Sequence, residues 1–232
     1  MNDPHRATAR ELAAMHLQRG DPLGWFDALY RAAAGQPGII PWADLLPNSN
    51  IVEWLSSTAL RPQRALVIGC GLGDDAEFLA TLGSSVVAFD ISAEAIRWAR
   101  QRFPQSKVEY EVVDLFAAPC NWRHHFDLVV EAYTLQVLPT ALRTRAIPLI
   151  ADWIAPAGLL CLIARGRDES DPLGQIPWPL TRQEVRLFEN ADLNCERFDD
   201  YMDPHEQTVR RFRAIFRRPS ADKRMANTLS SS

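Results

Sequence analysis

The 232-residue chain has few cysteines, no long apolar run and no surplus of basic charge, and each deficit closes off a class of function. Its four cysteines, Cys70, Cys120, Cys161 and Cys195, show no C-x-x-C spacing. That argues against a disulfide framework and the common zinc modules; the four read as reduced packing residues of a cytoplasmic protein. No stretch approaches the roughly 20 apolar residues of a membrane-spanning helix, so no membrane partner is expected. The opening MNDPHRATARELAAM lacks the apolar centre of a secretory leader. Net charge is -4 and the isoelectric point about 5.8, whereas nucleic-acid binders carry a basic excess, so no nucleic-acid partner is expected.

The local exception is Arg210, Arg211, Arg213, Arg217 and Arg218. Their alternation with Val209, Phe212, Ala214 and Phe216 predicts the solvated face of an edge strand. No His/Cys/Asp grouping has metal-ligand spacing, so no metal is expected, and Asp168, Glu169 and Asp171 read as a solvated loop. The histidines do not read as catalytic. His5 and His16 belong to a first helix, and His205 falls in a predicted hairpin turn. His124 and His125 precede a strand starting at Phe126, which puts them about 20 Å from its carboxyl end.

What is present is a large apolar fraction, 47%, enough for a substantial core. The length suits one α/β domain over residues 1–218, with a helical cap in 1–58, a core in 59–218 and a polar tail without fixed structure in 219–232. Helices are predicted at 6–18 and 22–34, the second with Asp21 as N-cap, Pro22 as first helical residue, and Trp25, Phe26, Leu29 and Tyr30 on one face. A turn-rich segment from Gly35 to Asn50 leads into a short helix at Ile51–Ser57.

Strands and helices then alternate. Strands are expected at Arg64–Ile68, Ser85–Asp90, Lys107–Val113, Phe126–Glu131 and Leu159–Ala164, with helices at Asp74–Leu82, from Ser92 to Arg102, and at Thr140–Trp153, kinked at Pro148. Such alternation predicts a Rossmann-like, doubly wound, mainly parallel sheet. A capping box at Thr181–Glu184 starts a further short helix. Two strands, Asn194–Tyr201 and Thr208–Arg217, then follow without a helix between them, which predicts a C-terminal antiparallel hairpin.

The first strand runs into Gly69-Cys70-Gly71-Leu72-Gly73-Asp74-Asp75, a glycine loop opening a helix. A dinucleotide fingerprint would need a third small residue at position 74, where Asp74 stands, followed by Asp75. Two carboxylates suit a helix N-terminus but would repel a pyrophosphate bound there. A donor without phosphates, carrying an ammonium and a sulfonium, suits them better. In open α/β sheets ligands sit beyond the carboxyl ends of the strands. Asp90 ends the second strand, 17 residues past Gly73, at the spacing of an acid that accepts from ribose hydroxyls. Asp114-Leu115-Phe116 follows the third strand and offers an acceptor for an adenine amino group with apolar cover for the ring.

Together the G-x-G-x-G loop, Asp90 and Asp114 resemble a class I S-adenosylmethionine-dependent methyltransferase over roughly residues 64 to 164. With the flanking Pro41-Trp42, Pro47-Asn48, Phe89-Asp-Ile-Ser92 and Phe126-Asp-Leu128, the chain resembles the thiopurine, thiol and halide S-methyltransferase family from about 25 to 217. The resemblance implies S-adenosylmethionine as donor, S-adenosylhomocysteine as product and a small soft nucleophile as acceptor. It implies donor contacts at Trp25, Trp42, Gly69, Gly71, Asp90, Ile91, Asp114, Leu115 and Phe116; Asp74 at the helix start and Glu131 at the fourth strand's end are further candidate donor contacts.

The fourth strand ends Val130-Glu131-Ala132-Tyr133 where plant thiol and halide members resemble Phe-Asp-Tyr, so Tyr133 and Glu131 are the candidates for acceptor positioning. Gln136, Arg165, Arg167 and Trp178 are candidate acceptor contacts. The absence of an Asn/Asp-Pro-Pro-Tyr set after that strand argues against DNA bases or glutamine side chains as acceptors. The expected function is therefore methylation of a small molecule at sulfur. The competing readings are O- or N-methylation of a secondary metabolite, a nucleotide-dependent oxidoreductase, which Asp74 and Asp75 disfavour, and a non-catalytic S-adenosylmethionine-binding protein.

Overall fold

The computed structural model describes residues 4–204 and 208–220. Seven strands form one sheet path: β1 (Arg64–Ile68), β2 (Ser85–Asp90), β3 (Glu109–Val112), β4 (Phe126–Ala132), β5 (Ile154–Arg167), β7 (Asn194–Met202) and β8 (Arg210–Arg217). Their order is β3-β2-β1-β4-β5-β8-β7. Pairing is parallel from β3 through β5, and β8 lies antiparallel to both β5 and β7. A two-residue β6 (Leu180–Thr181), unforeseen in the sequence, pairs with the far end of β5. The expected mainly parallel α/β sheet with a terminal antiparallel hairpin is what forms.

Alternate side chains of each strand feed two cores, as period-2 geometry requires. On one face Leu66, Ile68, Val129, Leu160, Leu162, Phe212 and Phe216 pack on α6 (Thr140–Trp153) and the segment around Phe188. On the other, Ala65, Val67, Ala88, Leu128, Val130, Cys161 and Ile163 meet α3 (Ser49–Ser56), α4 (Asp74–Thr81) and α5 (Ala93–Arg102). A third cluster joins α1 (Pro4–Gln18) and α2 (Gly24–Ala32) through Ala13, Trp25, Leu29 and Tyr30, and reaches the core at Trp98. This is the helical cap.

Several boundaries differ from expectation. The helix expected from Pro22 starts at Gly24, because the Asp21 carboxylate accepts from the Gly24 amide and holds the chain in a turn first. β3 shrinks to four residues, and β5 reaches back to Ile154 across a register shift opposite Phe126–Leu128. Pro148 lies inside α6, and Thr181 and Glu184 make the reciprocal capping box of α7 (Arg182–Arg186).

The largest correction concerns the C-terminal arginines. β8 is not an edge strand; β7 lies outside it. The arginines are ion-paired rather than merely solvated: Arg213 with Asp199 and Glu53, Arg210 with Asp200 and Asp168, Arg217 with Glu196, and Arg211 with Asp203. An alternating basic strand fits an interior position when the neighbouring strand supplies the acids, as β7 does. His205 and residues 221–232 of the expected tail lie outside the described residues.

Candidate active site

A cavity of about 710 Å³ opens above the carboxyl ends of β1, β2, β3, β4 and β5, roofed by the cap. It sits where the strand order reverses around β1, the usual ligand crevice of such sheets. Its floor is the glycine loop. Gly69 and Gly71 both hold positive φ, +57° and +52°. A Cβ on Gly69 would strike the Thr134 hydroxyl at 2.4 Å, and one on Gly71 would stand 3.1 Å from the Tyr30 hydroxyl, filling the space between loop and cap. The backbone must therefore be bare here.

Asp90 organises this floor. Its Oδ2 accepts from the Gly71 amide at 3.0 Å and its Oδ1 from the Ser92 amide at 2.8 Å. Burial pushes its carboxyl up to about 6, against the pull of those two amides. A carboxylate can accept more bonds than these, and Asp90 lines the cavity. Asp114 accepts from the Phe116 amide at 2.9 Å, and this turn presents Leu115 and Phe116 to the same cavity. Ile91 also lines it.

The two helix-opening aspartates play different parts. Asp74 is held by a bidentate pair with Arg102 at 2.7 and 2.8 Å, so its charge is matched. The repulsion expected of two carboxylates thus falls to Asp75. That residue accepts from the Asn48 amide at 2.7 Å and is pushed up to about 6 by burial.

The roof is aromatic. Trp25 stacks on Phe26 with centroids 4.0 Å apart, and Trp42 meets Trp25, Phe26 and Tyr30 edge-on. The Trp42 indole donates to the Tyr30 hydroxyl at 2.9 Å. Trp25 is buried, whereas Trp42 remains 39% exposed at the mouth. Hydrogen bonds at two points latch this cap to the core: the Asn48 amide on Asp75, and Asp27, which accepts from the Ser92 hydroxyl at 2.8 Å and the Glu94 amide at 3.1 Å.

Beyond β4, Tyr133 lines the cavity with φ +66°, its ring under the Arg211 guanidinium at 5.1 Å. A non-glycine residue held at positive φ commonly marks a functional wall. Burial raises its phenol, against the pull of Arg211 and a hydrogen bond with Asn48. Gln136 and Arg165 line the cavity too, with the Gln136 side-chain Oε1 accepting from the Arg165 backbone amide at 2.8 Å.

Three expected site residues lie elsewhere. Glu131 is fully buried beneath the turn, accepting through Oε1 from the Thr134 and Leu135 amides, and does not line the cavity. The reason is strand alternation: Glu131 falls on the face of β4 that carries Val129, while Ala132, on the opposite face, lines the crevice. Arg167 spends its guanidinium on the carbonyls of Pro179, Asp168 and Asp171 and on Glu184, shaping the following loop. Trp178 packs with the cap cluster instead of walling the cavity, its amide bonded to the Gln136 carbonyl. Conversely, Tyr30, Asn48, Asp203 and Arg211 line the cavity unforeseen. Alternation on β8 was the available signal for Arg211.

Residues 65–158 match the family model of the methyltransferase domain. Over those residues the chain is similar to a methyltransferase domain. It is 29% identical over 131 residues to thiocyanate methyltransferase 1 of Brassica oleracea, a match covering 54% of this chain and 56% of that protein. The chain thus spans about half the length of this curated relative. Among solved structures, the N-methyltransferase NodS of Bradyrhizobium japonicum with S-adenosylhomocysteine superposes with TM-score 0.64 at 24% identity, over 83% of this chain and 97% of that one. A protein described for conversion of a disulfide bond into a thioacetal group during echinomycin biosynthesis gives 0.69 at 21%, over 89% and 97%. The Burkholderia thailandensis 1,6-didemethyltoxoflavin-N1-methyltransferase gives 0.60 at 16%, over 95% and 92%. These three likenesses are of fold. Among the described residues no group of three His, Cys, Asp or Glu could hold a metal, and no helix is long and apolar enough to cross a membrane.

Proposed function

We propose that this methyltransferase uses S-adenosylmethionine to methylate a small molecule at a soft sulfur atom. The observation that carries the donor is the glycine floor with Asp90 bound to it, facing an aromatic roof across one cavity. The bare Gly71 backbone leaves the space a bound adenosine needs, and the unused lone pairs of Asp90 suit ribose hydroxyls. Asp114, Leu115 and Phe116 suit the adenine, and Asp75 the donor's positive end. S-adenosylmethionine supplies an electrophilic methyl group on a sulfonium.

The chain's own residues do the rest. The cap excludes water, which otherwise stabilises the separated cation and nucleophile better than the charge-dispersed transition state. Trp25 and Trp42 offer π faces to the sulfonium. Tyr133, held at positive φ, fixes the wall against which the acceptor aligns. Sulfur is supported by two facts. The distant relative is a thiocyanate methyltransferase, and among the described residues no histidine or lysine lines the cavity to serve as a general base. A thiol with pKa near 8.5 needs little help from one at neutral pH.

Calorimetry with S-adenosylmethionine, S-adenosylhomocysteine and NADH, followed by a screen of thiols, phenols and amines for S-adenosylhomocysteine release, tests this reading. Micromolar binding of both S-adenosyl compounds and turnover restricted to thiols is expected. NADH binding alone would sink the donor, and turnover on phenols or amines only would sink the sulfur acceptor. Trp42→Ala is expected to weaken S-adenosylmethionine about tenfold but S-adenosylhomocysteine only about twofold, because the cation–π term of roughly 1 kcal/mol belongs to the sulfonium alone. Equal losses would reduce Trp42 to packing.

A further inference from the structure

The charges lining the cavity are sorted by wall. The strand order runs β3-β2-β1-β4-β5-β8, so loops after β1, β2 and β3 form one half of the crevice and those after β4, β5 and the hairpin the other. The first half presents Asp74, Asp75, Asp90 and Asp114, and among the described residues no cation lines it. Two lining arginines lie on the other half, Arg165 near the end of β5 and Arg211 on β8, and two more, Arg6 and Arg10, stand one turn apart on α1 of the cap. The acid of that half, Asp203, is bonded to Arg211 at 2.7 Å. The remaining lining acid, Asp44, belongs to the cap.

Arg10 differs from the other three. Its Nε donates to the Ile176 carbonyl at 3.0 Å, which seats it on the Ile176–Pro177 wall. That wall joins Gln136 through the Trp178 amide, so Arg10 stands over the acceptor side rather than the donor side. No carboxylate among the described residues pairs with it. A half-buried guanidinium of this kind gains most from an anion brought by a ligand. A cavity acidic on one side and basic on the other also attracts a cationic donor and an anionic acceptor to opposite ends.

We infer that the acceptor is a small thiol bearing a carboxylate, and that Arg10 reads that carboxylate. The inference rests on the methyltransferase reading and adds the acceptor's charge. It makes Arg10 a specificity residue for one acceptor group, acting through a charge-assisted hydrogen bond that a neutral thiol of the same shape cannot form.

The test compares 4-mercaptobenzoate with 4-mercaptobenzamide, which match in size, at saturating S-adenosylmethionine. The native protein is expected to prefer the carboxylate at least tenfold in kcat/KM, mainly through KM. Arg10→Gln is expected to cut that preference by roughly tenfold or more, the worth of a hydrogen bond to a charged group, and Arg10→Lys to keep part of it. Added salt should narrow the preference in the native protein. The S-adenosylhomocysteine dissociation constant of Arg10→Gln reports whether the rest of the site is intact. A native preference for the amide, or an equal loss on both acceptors in Arg10→Gln, overturns the inference. Failure of the donor reading shows separately, as absent S-adenosylmethionine binding; direct calorimetry of the two acceptors then still decides whether Arg10 holds an anion.

Discussion

Asp90→Ala is expected to weaken S-adenosylmethionine binding by about 100-fold or more, beyond what routine calorimetry detects. The substitution removes a carboxylate that serves loop and ligand together. The Gly71 and Ser92 amides, at 3.0 and 2.8 Å, lose their acceptor. Each buried donor left unsatisfied costs about 1–3 kcal/mol in the free protein, so the loop relaxes and has to be re-ordered when the donor binds, and about 1.4 kcal/mol of such reordering is tenfold in affinity. The ribose loses its partner as well. Asp90→Asn should fall between, because its amide nitrogen would face one of those N–H groups. The carboxyl titrates near 6 because burial outweighs its two hydrogen bonds, so donor affinity in the native protein should fall as pH drops below 6. A thermal melt checks that the variant folds. An affinity within threefold of native would remove Asp90 from the donor site.

Glu131→Ala is expected to cost about 3 kcal/mol of stability, roughly 6–12 °C in melting temperature for a chain of this size. Its Oε1 holds the Thr134 and Leu135 amides at 2.7 and 2.8 Å, while Arg143 holds the Leu135 and Leu138 carbonyls of the same turn. Among the described residues nothing pairs with Glu131 Oε2, and burial pushes the carboxyl up to about 7. The folded protein therefore favours the protonated acid. Its contribution is full below the ordinary carboxylate value of 4.5 and declines as pH rises to 7, by about 3 kcal/mol. Glu131→Gln keeps an acceptor for the two amides and puts N–H where the proton sits. It should match the native protein near pH 5 and exceed it above pH 7. Denaturant unfolding across that range decides, and parallel curves for the two proteins would refute a neutral Glu131.

The same residue shows where sequence reading stops. Glu131 sits at the strand end that the resemblance marks, and the chain around it is one residue out of step, with tyrosine at 133 rather than 132. Glu131 turns inward within the strand, and the positive φ of Tyr133, just past the strand's end, turns that side chain toward the cavity. The order of strands and helices was readable because periodicity and caps are local: Ser92 accepts from the Ala95 amide, and Thr181 and Glu184 bond reciprocally. Asp90 and Asp114 were readable because each stands at a fixed offset from a strand or loop, whereas Trp25 and Trp42 came from the family resemblance; all four line the cavity. Arg102 and Asp74, 28 residues apart, were not, since their pairing depends on α5 lying beside α4. Nor was the interior place of β8, whose partners depend on β7 folding outside it. Arg10 was missed for a similar reason. A helix at the chain's start gives no sign of the loop on which its arginine will rest, at Ile176.

The two latches of the cap have an entropic consequence. Asp27 on Ser92 and the Asn48 amide on Asp75 fix the roof against the half of the molecule that carries Asp90. Ordering a loop costs about 1–2 kcal/mol per residue in backbone freedom. Here that cost is borne when the chain folds, so little of it is left to subtract from the donor's affinity. Asp27 touches no ligand, yet it shares in setting how tightly one is held.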